Sequence, residues 1–496
     1  MALDSLRDFL AAIDAADDLR RIERPVSVDK EITEIADRCM KSRGGGPALL
    51  FTRPTLMRGG GGGASRYPVA VNLFGSERRM GLALGVDCLD RIGERIAELV
   101  ALKVPEGLMG KLAMLPRLAE IAKFPPKTVG AMRASCQDTV IKGPDVDLSQ
   151  FPVPVCWPED GGPYITLGGV ITRDPQSGVR NVGMYRVQVL GKNELAMHWQ
   201  RHKVGAAHWR TMAERGETMP VAIALGGDPA SIYAASAPLP PTIDEFLFAG
   251  FLRGEAVRLT KAVTSDLEVP AEADFVIEGY IDPRDELVLE GPFGDHTGFY
   301  SLADYYPKVH VTAITMRKDP IWPHTIVGRP PMEDYYLGHA TERIFLPLLR
   351  LTIPEIVDLH MPAEGIFHNL VFVSIDKQYP GQAYKVMNGL WGQGLMSLAK
   401  LIVVVDRDVN VRDPKEAWWV ALNHIDPQRD VHFTMGPIDV LDHASRGFTY
   451  GSKMGIDATR KWKEEGFTRE WPNKIVMDPE TKRRVDAMWR ELGIEL

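Results

Sequence analysis

The chain has 496 residues, 45% of them hydrophobic and 25% charged, with a formal net charge of -8. That is a globular composition, too long for one ordinary core and suited to two or three domains, and an acidic balance without a Lys/Arg cluster excludes a nucleic-acid partner. No apolar run reaches the roughly 18 residues of a membrane span, and the N-terminal MALDSLRDFL has no basic region followed by an apolar stretch, so a soluble cytoplasmic protein is expected.

The first predicted helix opens at Asp4, a candidate N-cap, and sets Leu6, Phe9, Leu10 and Ile13 on one face. A second, over 29–41, leads through Gly44, Gly45, Gly46 and Pro47 into the strand-like ALLF; no Gly-Lys-Ser/Thr follows, so the glycines are not a phosphate loop. Residues 59–63 are all glycine and read as a low-complexity loop tip. Cys39, Cys88, Cys136 and Cys156 are scattered without Cys-x-x-Cys, which predicts reduced, mostly buried thiols and no thiolate zinc site.

Proline-rich FPPK near 124 and FPVPVCWPED at 151–160 mark a change of domain. Strands follow in YITLGGVITRD, in NVGMYRVQVLGKNELAMHW with a turn at GKNE, and in VAIALGG. From residue 370 the order becomes strand, helix, strand, helix: LVFVSI and LIVVV are apolar runs suited to a parallel sheet covered on both faces, with a crossover helix between them. Asp413-Pro414-Lys415-Glu416 predicts a cap, a first-turn proline and a returning carboxylate. The last apolar stripe, Val485, Met488, Trp489 and Leu492, predicts a packing or subunit contact, and no internal repeat is present.

Several segments carry candidate chemistry. Asn181 and Arg186 are five apart, so both reach one site only if Asn181 precedes the strand or a bulge intervenes; taken alone, Arg186 is an ordinary solvated strand arginine. His198 and His202 have the i, i+4 spacing of helical zinc ligands but lack the glutamate of His-Glu-x-x-His. Glu245 is explained by a Thr242-x-x-Glu245 capping box, unless it meets Asn181 and His202, an oxygen and imidazole set that suits Mg or Mn. In LEGPFGDHTGFY, Glu290 and Asp295 flank a short turn; either they are solvated turn acids, or two neighbouring carboxylates of which one keeps its proton.

Together, CWPEDGGPYITLGGVITRDP, RNVGMYR, MHWQRHK, DEFLFAGFLRGE, EGPFGDHTGFY, VGRPP and GSKMGIDATRKW resemble the UbiD family of prenylated-flavin decarboxylases, in order and over nearly the whole chain. Within the family the similarity is greatest to the ubiquinone-pathway branch, which acts on 4-hydroxy-3-polyprenylbenzoate. The resemblance implies an α+β and α/β multidomain fold: an N-terminal α/β domain over 1–125, a prenylated-flavin-binding split β-barrel of flavin-reductase type over 126–330, and a C-terminal α/β oligomerisation domain with βαβ units over 331–496. It implies prenylated FMN, a divalent cation (Mn2+) held by Asn181, His202 and Glu245, and K+ as a further cation. Met184, Tyr185, Arg186, His198, Trp199, Gln200, Lys203 and Lys400 match cofactor-contacting positions, and Arg186, Glu290 and Asp295 the catalytic trio. It also implies a homo-oligomer (dimer or hexamer), a flavin prenyltransferase as cofactor supplier and, for a prenylated substrate, peripheral contact with the inner membrane. His198-Trp199-Gln200 stands where other members of the branch carry Arg-Trp-Leu, which bears on the substrate rather than on the reaction.

Loss of CO2 from an sp² carbon leaves an electron pair in the ring plane. A positioned acid or base gives ~10²–10⁴-fold, roughly 3–5 kcal/mol, against the ~8–23 kcal/mol that enzymes supply, so a cofactor must take up the electrons. The expected division of labour is then a protonated Asp295 as donor, an ionised Glu290 beside it, and Arg186 orienting a carboxylate and keeping Glu290 charged. Reversible decarboxylation of another aromatic or heteroaromatic acid, a non-catalytic flavin carrier, and a zinc hydrolase are the alternatives.

Overall fold

The computed structural model describes residues 2–56, 63–101, 119, 121–201 and 203–494. Helix α1 (Leu6–Ala15) buries Leu6, Phe9, Leu10 and Ile13, as their spacing predicts. Its cap is Ser5 and not Asp4: the Ser5 hydroxyl accepts from the Asp8 amide, while Asp4 turns to Arg253. Strand β1 (Leu19–Ile22), helix α2 (Glu31–Met40), strand β2 (Ala48–Phe51) and strand β3 (Val69–Val71) follow. The glycines before β2 form a turn with Gly44, Gly45 and Gly46 all at positive φ. Of the glycine tip at 59–63, residues 59–62 lie outside the described residues.

The middle of the chain builds a nine-stranded sheet from β4 (Thr139–Lys142), β5 (Tyr164–Ile165), β6 (Gly168–Arg173), β7 (Arg180–Met184), β8 (Val187–Val189), β9 (Glu194–Met197), β10 (Met219–Leu225), β11 (Phe275–Ile281) and β12 (Lys308–Met316). Its order is β7-β6-β10-β11-β12-β9-β8-β5, with β4 also on β12, and all pairs are antiparallel. Alternation along the strands feeds two cores: Val170 and Ile223 enter one apolar cluster, while Ile171, Ala222 and Ala224 enter the other, where helix α4 (Glu245–Arg253) adds Phe246, Phe248 and Ala249. Helix α3 (Val204–Arg215) joins β9 to β10. The short strand β13 (Trp322–His324) then returns to the first sheet, whose order is β1-β2-β3-β13.

Helix α5 (Glu333–Thr352) leads into a five-stranded sheet of β14 (Ile356–His360), β15 (Leu370–Ile375), β16 (Leu401–Asp406), β17 (Val431–Pro437) and β18 (Tyr450–Asp457), ordered β14-β15-β16-β18-β17. Its three central strands are parallel, with antiparallel edges. Val371 and Val373 face the cluster that includes Met387 of helix α6 (Gln382–Trp391), while Phe372 faces Val420 of helix α7 (Pro414–His424). Two covered faces explain the unbroken apolar runs. Asp413 caps α7 at the Lys415 amide, but Glu416 turns to the Asn410 amide rather than back to the cap. Met488, Trp489 and Leu492 near the C-terminus are exposed and Val485 is half-buried, so that stripe is left largely uncovered among the described residues.

Candidate active site

Strand β7 is the first in the sheet order and β8 the seventh, yet only Tyr185 and Arg186 separate them in sequence. Three residue steps span at most about 11 Å, whereas six inter-strand spacings in a flat sheet would span nearly 30 Å. The sheet must therefore curl into a half-barrel, and Tyr185-Arg186 bridges its open seam. The same break resets the side-chain alternation, which the spacing of Asn181 and Arg186 requires.

Opposite the seam stands a doubled hairpin in which Val288–Glu290 pairs with Asp304–Tyr306 and Phe293–Gly294 with Tyr300–Ser301. Neither acid is a solvated turn residue: Glu290 is fully buried and Asp295 is 7% exposed. Arg186 Nε and Nη2 donate to the two oxygens of Glu290 at 2.8 and 3.1 Å. Nη1 donates to Asp295 Oδ2, Nη2 also donates to Ser301 Oγ at 2.9 Å, and the guanidinium lies 4.9 Å from the centre of the Phe293 ring. His198 Nδ1 is 2.9 Å from Glu290, and its ring packs on Tyr306. His296 reaches Asp295 Oδ1 through both its amide (2.8 Å) and Nδ1 (2.9 Å).

This arrangement corrects the expected proton placement. Burial alone would push both acids up, but His198 and Arg186 outweigh it at Glu290, whose carboxyl is held at about 2. At Asp295 burial is likewise outweighed, by His296 and Arg186, and the carboxyl sits well below the usual carboxylate range. Arg186 lies between two ionised acids and does not favour one over the other. Asp295 holds His296 above the ordinary imidazole value against the effect of burial.

A second set surrounds the start of α4. The capping box does not form: Asp244 is the cap, accepting from the Phe246 amide at 2.8 Å. Glu245 turns inward and accepts from the Val182 amide at 2.8 Å, and burial pushes its carboxyl up to about 7. Asn181 is also buried, and its Nδ2 has no hydrogen-bond partner among the described residues. His202 lies outside the described residues. A buried carboxylate with no ion pair among the described residues, with a spare amide on the adjoining strand, is a donor set that fits a hard divalent ion. His198, the described half of the predicted helical zinc pair, stands outside any helix: residues 198–200 are irregular and the next helix begins at Val204.

The other positions divide. The Tyr185 ring lies across Gly183 and meets Trp199 edge-on at 6.1 Å between centroids. Trp199 is buried with Nε1 unpartnered among the described residues. Met184 faces the opposite way, against the helical core. Gln200 is half-buried at the bend before α3. Lys203 precedes α3 with no ion pair among the described residues, and burial depresses its ammonium, as suits a lysine awaiting an anion at a helix N-terminus. Lys400 pairs with Asp442 at 2.8 Å, and its amide donates to the carbonyl of Asn369, next to His368. His339, Glu342 and His360 also place three potential ligand atoms within 4.8 Å of one another. There Arg343 Nε already stands 3.3 Å from Glu342, which also accepts from the Met361 amide, so the group ties α5 to β14.

Sequence reasoning did not find Ser301, Tyr306 or His368, the last lying 3.1 Å from His296 between the Nε2 atoms. His368 is 72 residues from its partner, and no local pattern links the two.

Residues 127–330, 335–458 and 10–96 match, respectively, the Rift-related, C-terminal and N-terminal domains of 3-octaprenyl-4-hydroxybenzoate carboxy-lyase, the UbiD family. An uncharacterized protein of Aquifex aeolicus is 54% identical over 490 residues, and one of Archaeoglobus fulgidus 49% over 494, with 99% of each chain covered in both cases. Among solved structures, the UbiD-class enzyme HmfF from Pelotomaculum thermopropionicum in complex with FMN superposes with a TM-score of 0.80 at 29% identity, covering 97% of this chain and 98% of that one. Vanillic acid decarboxylase of Sedimentibacter hydroxybenzoicus in its closed form gives 0.83 at 26% identity over the whole of both chains.

Proposed function

Because this chain belongs to the UbiD family of carboxy-lyases, we propose that its buried Arg186, Glu290 and Asp295 carry the reversible, non-oxidative decarboxylation of an aromatic acid. The single observation that carries the assignment is one guanidinium hydrogen-bonded to two buried carboxylates at the seam of a half-barrel. Prenylated FMN, when bound, supplies the electron sink that no side chain offers. Tyr185, Trp199 and Lys203 would line and anchor it, and Asn181 and Glu245, with His202, would hold Mn2+ for its phosphate; the unpartnered Asn181 Nδ2 and Trp199 Nε1 and the buried Glu245 and Lys203 support this. Arg186 orients the substrate carboxylate, Glu290 keeps Arg186 and His198 in place, and Asp295 delivers the proton to carbon.

The preferred substrate is 4-hydroxy-3-polyprenylbenzoate, of the ubiquinone pathway. Support comes from the outer face of the hairpin that holds both acids, where Leu289, Phe299, Leu302 and Tyr305 are exposed and would suit an apolar tail or a membrane surface. No helix among the described residues is long and apolar enough to cross a membrane. The second candidate is a small hydroxybenzoate, favoured by the superposition on vanillic acid decarboxylase. A flavin prenyltransferase would supply the cofactor, and the uncovered Met488, Trp489 and Leu492 favour a homo-oligomer. The test is CO2 release from both acids by holoenzyme under identical conditions: turnover of the polyprenyl acid alone supports the first substrate, turnover of the small acid alone the second, and release from neither removes the assignment.

A further inference from the structure

The hydrogen-bonded chain of the site continues beyond Asp295. His296 is bonded to Asp295 through Nδ1 and approaches His368 through Nε2, at 2.9 and 3.1 Å. His368 lies in the turn before β15, and Phe367 beside it stacks on the His296 ring at 5.3 Å between centroids. Ile366 and Phe367 hold φ of 47° and 48°, a left-handed backbone that β-branched and bulky residues rarely adopt. Such a turn persists only where its surroundings enforce it, and strain of this kind gathers where a side chain must be aimed. Here it aims His368 at His296.

We propose that His296 stores the catalytic proton for Asp295 and that His368 is the positioning residue that keeps it there, an inference that rests on the decarboxylase assignment above. The imidazolium of His296 donates Nδ1–H to Asp295 and Nε2–H to His368. His368 therefore stays neutral with its one proton on Nδ1, an atom buried without a partner among the described residues, where an ordered water would fit. In turnover the Nδ1 proton of His296 passes to Asp295 Oδ1, and Asp295 passes a proton to the carbon that has lost CO2. His296 is left neutral with its remaining proton on Nε2. After the product leaves, a proton from water returns through the Asp295 carboxylate to Nδ1. One proton is consumed per CO2 released, and no tautomer or ring orientation changes.

The charges around the pair favour this distribution. Asp295 faces His296 directly, with Asp439 after β17 adding negative charge, and Asp334 at the start of α5, whose carboxyl burial pushes up to about 7, adding it only in part at neutral pH. His368 is held at about 4 by burial and by the His296 charge, with Asp439 and Lys203 as the other charged groups acting on it. Arg186 bonds the Asp295 carboxylate on the oxygen that His296 does not use.

The test is 15N NMR of histidine-labelled holoenzyme, with the His296 signals assigned by their loss in His296→Gln. A doubly protonated His296 ring with a midpoint clearly above the ordinary value of about 6.5 is expected, and a midpoint at or below it overturns the proposal. In His368→Gln the midpoint falls by about one pH unit, the size of one charge-assisted hydrogen bond. The alkaline limb of kcat/KM moves down with it, so that at high pH the variant is about tenfold slower while its flavin content is unchanged. A merely structural His368 would lower the melting temperature and leave midpoint and limb in place, which overturns the positioning role. Should the wild type release CO2 from no acid, the decarboxylase assignment fails, and the NMR midpoints of wild type and variant still decide where the proton resides.

Discussion

Arg186 grips Glu290 along one edge, Nε to Oε1 at 2.8 Å and Nη2 to Oε2 at 3.1 Å, and spends its remaining Nη1 on Asp295. Both acids thus share one buried guanidinium, and Asp295 has His296 beside it as well. Arg186→Gln would leave two carboxylates in the interior without it, at a cost of ~3–5 kcal/mol. In the wild type the low Glu290 carboxyl contributes stability that is present above the ordinary value of 4.5 and is lost as pH falls toward about 2. In the variant burial pushes both acids up, so the penalty applies above their raised values and fades once they protonate. The gap in melting temperature between the two proteins should therefore be wide at pH 8 and narrow at pH 5; a gap of constant width would show that Arg186 does not balance these charges.

Neighbouring acids at the start of α4 should behave oppositely. Asp244→Ala removes a helix cap and should cost ~1 kcal/mol while bound metal and flavin are retained. Glu245→Ala removes no cap, because Asp244 supplies it, yet it should release both metal and flavin. Metal analysis and visible absorbance of the two purified variants check this, and full metal in Glu245→Ala would return Glu245 to a structural role.

Much of the fold was legible because periodicity reports which face is buried. The α1 stripe, the β8–β9 hairpin and the apolar strands β15 and β16 all follow from spacing alone. Caps were less legible, since Asp4 and Ser5, or Thr242 and Asp244, are both competent, and tertiary partners such as Arg253 decide between them. At the site, residue types and family blocks pointed to Arg186, Glu290 and Asp295, but not to the protonation state. That depends on Arg186 sitting between the acids and on His296 turning back to Asp295, distances that spacing does not encode. His368 was invisible because its role comes from a strained turn that meets His296 only in three dimensions.

Asp295→Asn should preserve part of the network, since the single amide oxygen can still accept from the His296 amide or from Arg186, though not from both. It cannot carry a proton to carbon. Flavin absorbance should stay near wild type while turnover falls by ~10²–10⁴-fold, the usual worth of a positioned acid. Measured kcat near the wild-type value would remove Asp295 from the proton path and leave Glu290 as the remaining candidate.

Gly183 tests the seam without touching an acid. A Cβ built there would fall 2.3–2.4 Å from ring atoms of Tyr185, far inside contact distance, so Gly183→Ala must swing the Tyr185 ring aside. That ring braces Trp199 edge-on, and its displacement should loosen the wall proposed for the flavin and lower flavin retention while Arg186 and both carboxylates stay paired. Tyr185→Ala should lower retention by a similar amount through the missing ring. The two effects share one cause and should not add: Gly183→Ala placed in the Tyr185→Ala background finds open space and should cost nothing further. Full additivity in a flavin-binding titration would mean that Gly183 acts on the cofactor directly through its own backbone, and that the Tyr185 ring is not the wall.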